Sequence, residues 1–182
     1  MFRESALFRA YINATCLAVI IFSAPLAAQE TSADTELPIG SELDLYGGYS
    51  AANLAVILQE GNFNHASIDQ SGAVNYISSL QSGHGNVLYA TQAGEANSTL
   101  SKQEGESNIA ALVQIGYENM ILLEQVGYGH RAGIRQYGIN NSANVQQIGV
   151  YHQITINQRG NGLHTSVTQT GVSMNTTINQ YD

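Results

Sequence analysis

The sequence predicts an all-β fold: a two-sheet β-solenoid of stacked 22-residue coils, with two 11-residue strand-turn units per coil and about six coils. Three observations predict it. A glutamine recurs every eleven residues without a slip, at Gln59, Gln70, Gln81, Gln92, Gln103, Gln114, Gln125, Gln136, Gln147, Gln158, Gln169 and Gln180. A glycine follows two residues later at Gly61, Gly72, Gly83, Gly94, Gly105, Gly116, Gly127, Gly138, Gly149, Gly160 and Gly171. Between the repeats, small or aliphatic residues alternate with mostly polar ones, the pattern of a strand with one buried face.

In chain order, the first element is an address. A short basic start (Arg3, Arg9) leads to an apolar stretch from Cys16 to Phe22 and a small-residue exit, Ala24-Pro25-Leu26-Ala27-Ala28. Residues 1–28 therefore read as a secretory signal peptide cut near Ala28. The apolar run is shorter than the roughly 20 residues a spanning helix needs. Cleavage would leave 154 of the 182 residues and remove the only cysteine, Cys16. Burial and hydrogen bonds alone would then hold the exported chain together. It would carry 4 basic and 13 acidic side chains, net −9, which argues against nucleic acid as a partner. Residues 29–52 read as an N-terminal targeting or flexible segment, and residues 53–182 as the repeat domain.

Six residues before most of the glutamines stands an asparagine: Asn53, Asn64, Asn75, Asn86, Asn97, Asn108, Asn119 and Asn141. The period of eleven also fits a right-handed coiled coil. A glycine in every unit rejects that, at a cost of about 1 kcal/mol each in a helix. The inward strand face carries pairs such as Ala55 and Ile57, Leu88 and Ala90, Ile121 and Leu123, and Ile154 and Ile156; two units are weaker, with Ile77 beside Ser79 and Thr99 beside Ser101. The glycine is expected just past a seven-residue strand, in a turn of about four residues that needs positive φ or close backbone approach. Such a unit cannot bury its apolar face alone, so successive units stack, with odd units in one sheet and even units in the other. At strand spacing the rod is roughly 29 Å long.

A buried glutamine without partners would cost on the order of 1–3 kcal/mol, whereas identical amides stacked at strand spacing satisfy one another. Only the end rungs of such a ladder lack a neighbour. The two rod ends, with open backbone groups, are then templates for another copy.

The unit Asn-x-Ala-x-x-x-Gln-x-Gly-x-x-Asn, as in Asn53-Leu54-Ala55 to Gln59-Glu60-Gly61 and Asn64-His65-Ala66 to Gln70-Ser71-Gly72, resembles the curlin repeat of bacterial curli subunits. The resemblance covers residues 53–182. It implies an extracellular functional amyloid that supports adhesion and biofilm matrix, with a companion curlin subunit and dedicated export and accessory proteins at the outer membrane as partners. The unbroken Gln-x-Gly turns resemble the minor, nucleating curlin, as does the C-terminal half, where His130, His152, Leu163 and Met174 replace the asparagine. Ile178-Asn179-Gln180-Tyr181 and Ser41-Glu42-Leu43-Asp44-Leu45-Tyr46 resemble a major subunit instead.

Other chemistry is weakly signalled. His130 and His152 lie two repeat units apart, on adjacent rungs, and could share an ion; substitution for asparagine in a polar column is the favoured reading, and no third ligand is evident. Neither a catalytic pair of carboxylates nor a cofactor motif emerges, so no enzymatic step is expected. Outward apolar residues, namely Leu54, Val56 and Leu58, then Ile109, Ala111 and Val113, then Met120 and Leu122, suggest contact surfaces. On the first strand, cover by the 29–52 segment is an equal expectation. Glu60, Asp69, Glu95, Glu104, Glu106, Glu118 and Glu124 precede Gln125, while Arg131, Arg135 and Arg159 follow it, a gradient suited to head-to-tail orientation. The reading from another class is a monomeric binding rod, for ice or carbohydrate. The scattered outward threonines and the absence of a cap after Gln180 disfavour it.

Overall fold

The computed structural model describes the strand Cys16–Ser23 by its backbone, and residues 53–182 in full. The predicted segment 29–52, and with it the expected cover over the first repeat strand, lies outside the described residues. Among the described residues thirteen strands follow in order: β1 Cys16–Ser23, β2 Asn53–Asn62, β3 His65–Ala73, β4 Tyr76–His84, β5 Val87–Glu95, β6 Ser98–Glu106, β7 Ile109–Tyr117, β8 Met120–Tyr128, β9 Arg131–Ile139, β10 Ser142–Val150, β11 Gln153–Asn161, β12 His164–Val172 and β13 Asn175–Tyr181. They form two parallel sheets, one of seven strands in the order β1-β2-β4-β6-β8-β10-β12, the other of six in the order β13-β11-β9-β7-β5-β3. The twelve repeat strands alternate between the sheets, and each pairs with the strand two units on, as Gln81 with Gln103 and Gln92 with Gln114. The predicted two-sheet β-solenoid of about six coils is the observed fold.

The core is the predicted inward face. Ile77, Leu88, Ile121 and Ile134 are fully buried, and the apolar cluster runs from Ala55 to Ile156 between the sheets. At the C-terminal end it opens: Val167 on β12 and Ile178 on β13 are only partly buried. Outward positions alternate with inward ones along each strand. On β4, Ile77, Ser79 and Gln81 are buried while Tyr76, Ser78, Leu80 and Ser82 are half-buried.

Three details differ from the sequence-based expectation. First, the strands run nine residues in units such as β4 and β8, through the glycine, and the corner between them has two residues, for example Val74 and Asn75 between β3 and β4. The glycine belongs to the strand end because its backbone still pairs along the sheet, as Gly83 with Gly105. Asparagine accordingly sits in the corner, just outside the strand in most units, although it is buried. Second, each corner has another residue with positive φ two positions after the glycine. Phe63, Val74, Ala96, Ser107, Glu118, Asn140, Tyr151 and Ser173 adopt φ of 54° to 59° there. Third, the N-terminal edge of the seven-stranded sheet is not open in this chain. The apolar stretch read as part of an export signal is strand β1, which pairs parallel with β2 from Cys16 opposite Asn53 to Ser23 opposite Glu60.

The glycine is required twice. At Gly105 φ is +113°, and a Cβ would lie 2.1 Å from the carbonyl oxygen of Gly127 on the next rung. No side chain fits between backbones stacked that closely.

Candidate functional site: amide ladders and the rod ends

The parallel in-register stacking places each glutamine directly over the one two units earlier, inside the rod. Its amide then has two tasks. One N–H donates to the next glutamine: Gln81 to Gln103 at 2.7 Å, Gln92 to Gln114 at 2.8 Å, Gln114 to Gln136 at 3.0 Å, and Gln158 to Gln180 at 2.8 Å. Gln59 donates to Gln81 in the same way. The other N–H crosses to a backbone carbonyl of the opposite sheet, as Gln81 to His65 at 3.1 Å and Gln92 to Tyr76 at 3.0 Å. Both amide hydrogens are thus used, which removes the penalty of burying a primary amide. Threonines at inward positions join in: Thr99 Oγ1 donates to Gln114 Oε1 at 2.8 Å and accepts from Gln92.

The ladder has a direction. There are two such series, begun by Gln59 and Gln70, and in both each glutamine that has a successor donates toward the C-terminal end; Gln169 and Gln180 end them, their amide nitrogens donating to the carbonyls of Gln153 and His164. Gln59 stands opposite Phe22 of β1, not another glutamine. Beyond Gln169 and Gln180 the chain has no further glutamine.

The asparagines form two corner columns. In each, Oδ1 accepts the backbone N–H of the corresponding residue one coil on, as Asn53 from Asn75 at 3.0 Å, and also its Nδ2–H at 3.1 Å. Nδ2 also closes its own corner on the carbonyl four residues back, Asn75 to Ser71 at 3.0 Å, and reaches the glycine carbonyl of the next unit, Asn75 to Gly94 at 2.9 Å. Between themselves these amides donate toward the N-terminal end, opposite to the glutamines. The columns stop at Leu163 and Met174, whose backbone N–H groups donate the last such bonds, to Asn141 Oδ1 at 2.9 Å and His152 Nδ1 at 3.1 Å. Neither side chain can accept a hydrogen bond from a following coil as an amide would.

His130 and His152 take over the asparagine contacts. His130 Nδ1 accepts the backbone N–H of His152 at 3.2 Å, and His130 Nε2 faces the carbonyl of Val126 at 3.1 Å. Met174 and Ile148 complete the same pair of contacts for His152. The contacts assign the proton to Nε2 in both rings, which stack in parallel with centroids 5.0 Å apart. Burial holds the His130 pKa below the ordinary 6.5; the adjacent His152 ring adds to this, against the pull of the Val126 and Gly149 carbonyls. Nδ1 of each ring is already engaged, so the geometry shows a corner substitution. Among the described residues no group of three His, Cys, Asp or Glu is placed to hold a metal ion.

On the outside, the structure sorts the charges by face, which the linear gradient does not reveal. Glu60, Lys102, Glu104 and Glu124 point outward from the seven-stranded sheet, whereas Asp69, Arg131, Arg135 and Arg159 point outward from the six-stranded sheet. Lys102 bridges Glu104 at 2.8 Å and Glu124 at 3.3 Å. The two carboxylates raise the Lys102 pKa, while a hydrogen bond from Gln146, and then Lys102, lower that of Glu124. Among the described residues no carboxylate pairs with an arginine; Arg159 lies over the Tyr137 ring at 5.7 Å.

The fold and its ladders define a class: a parallel two-sheet β-solenoid whose corners and interior are satisfied by stacked amides. Within that class, residues 116–149 and 138–171 match the family model described as Curlin associated repeat. The matches fall on the half of the rod where histidine replaces asparagine. Neither the curated proteins nor the solved structures contain a significant match to the chain.

Proposed function

We propose that this chain is a non-enzymatic structural subunit of an extracellular curli-type amyloid fibre, polymerising end to end for adhesion and matrix. The observation that carries this reading is the state of the C-terminal rung. There, among the described residues, the core residues Val167 and Ile178 are half covered, Gln169 and Gln180 are the last rungs of their ladders, and β12 and β13 are the outermost strands of the two sheets. A second copy entering with β2 and β3 would continue both sheets in register. The match to curlin associated repeats supports the reading.

The proposal includes export by a signal peptide over residues 1–28. Cleavage near Ala28 would remove β1 and bare the edge of β2, so that the template for growth is completed by export itself. A companion curlin subunit and outer-membrane export and accessory proteins are the partners the resemblance implies. Of the two subunit roles we favour the minor, nucleating one, because the corner column ends in Leu163 and Met174 while the glutamine ladder continues. Trace amounts of the protein should then abolish the lag of a separate curlin subunit.

Gly171→Ala tests the polymer directly. A Cβ on Gly171 meets nothing within 4 Å in the single chain, yet by the spacing seen at Gly149, where the contact is 2.0 Å, it would strike the backbone of an added coil. Gly162→Ala carries a positive φ of +65° with open space around it and serves as the control. Residues 29–182 should form thioflavin-positive fibres with a cross-β repeat; Gly171→Ala should block elongation and Gly162→Ala should not. A wild-type chain that stays monomeric at high concentration would overturn the proposal.

A further inference from the structure

We propose that a second copy of this chain docks side by side with the first, the outer face of its six-stranded sheet against the outer face of the seven-stranded sheet, so that filaments join laterally. This rests on the fibre reading above.

Two independent complementarities support it. The seven-stranded face carries an open groove of ≈ 560 Å³ that runs across rungs β4 to β12, lined by Leu80, Leu100 and Leu122 and edged by Lys102 and Glu124. The six-stranded face carries an apolar row along β7, with Ile109 36% and Ile115 41% exposed beside Ala111 and Val113. Apolar surface of this extent on a chain with a net charge of −8 is a contact surface.

Charge follows the same division. Next to the β7 row, Arg131 is in register with Ile109 and Arg135 with Val113. Next to the groove, Glu124 is in register with Lys102, and Glu104 with Val126. The strands of the groove face therefore hold four carboxylates (Glu60, Glu104, Glu106 and Glu124) against one ammonium, and those of the six-stranded face three guanidinium groups against two carboxylates (Asp69 and Glu95). Like faces repel and unlike faces attract, which selects the heterologous pairing. Such a pairing uses a different face on each copy, so it leaves both outer faces of the pair free and propagates into ribbons rather than closing as a dimer. Exposed charges act here through orientation and salt dependence, with the apolar β7 row and the groove supplying the contact area.

The test uses filaments of the full exported chain, viewed by electron microscopy at low ionic strength and in high salt. Wild-type filaments should bundle at low salt, and the double variant Arg131→Glu with Arg135→Glu should grow at the wild-type rate as single filaments. Mixing it with filaments of Glu104→Arg with Glu124→Arg should restore bundles that contain both. Where the arginine reversal impairs growth, Arg131→Gln with Arg135→Gln gives the same comparison. Bundles that persist in every variant would overturn the lateral contact and leave the fibre reading intact. Dextran sulfate that coats wild-type filaments which otherwise stay single would also overturn it, in favour of an acidic polymer. Failure of the wild-type chain to form any filament would overturn the fibre reading and this contact with it.

Discussion

The backbone N–H of His152 donates to Nδ1 of His130 at 3.2 Å, and this contact makes the corner sensitive to acid. Protonation would place a second N–H against the first and cost the His130 ring its acceptor role. The folded-state pKa lies below the ordinary 6.5, so the unfolded chain binds the proton more readily. Its contribution to stability is complete above pH 6.5 and is lost as pH falls through the lower folded value. Urea midpoints of the monomeric chain should fall between pH 6.5 and about 5, before the carboxylates titrate. His130→Asn, which installs the amide found at Asn108, should flatten that slope.

Gly105→Ala should be among the most damaging single-methyl changes available. At φ +113° a residue with a Cβ lies beyond the left-handed α region and is strained there, and the approach of 2.1 Å to the Gly127 oxygen adds a further ~1–3 kcal/mol of overpacking. Gly162→Ala, at φ +65° inside the left-handed α region with open space around it, should lose only about 1–2 kcal/mol. Denaturant unfolding of the two variants beside wild type measures the difference; equal losses would contradict the stacking argument.

Ser79 and Ser101 are buried on adjacent rungs of the seven-stranded sheet, and neither hydroxyl has a hydrogen-bond partner. An unpaired buried hydroxyl costs about 1–3 kcal/mol. Ser79→Ala and Ser101→Ala should each raise the unfolding midpoint, in contrast to Thr99→Ala, which removes a hydroxyl that bridges Gln92 and Gln114.

Much of this architecture is legible in the sequence because every coil repeats the same demand. A parallel stack whose register skips one unit allows no relief at the glutamine or at the glycine, so those positions never vary within the described rod until the chain end. The second positive-φ position escaped notice for the opposite reason. Its cost of about 1–2 kcal/mol is tolerable, so Phe63, Val74, Glu118 and Tyr151 all occupy it. Gly85, Gly129 and Gly162 were the available signal, three glycines at the same place in the unit. The histidines were visible as substitutions, but only the geometry shows that an imidazole reproduces both asparagine contacts. The charges sort by face rather than along the chain because neighbouring units lie on opposite sides of the rod.

That alternation makes parity a physical property of the chain. Inserting or deleting a single repeat unit preserves every rung of the ladder locally, yet it transfers everything downstream to the other side of the rod. An odd change placed between Gln125 and Arg131 would move Arg131, Arg135 and Arg159 onto the same side as Glu104 and Glu124, turning two oppositely charged walls into one mixed wall and one that keeps only the carboxylates Asp69 and Glu95. Only changes made in pairs of units keep the two sides distinct, so the length of this rod is quantised by its surface rather than by its core.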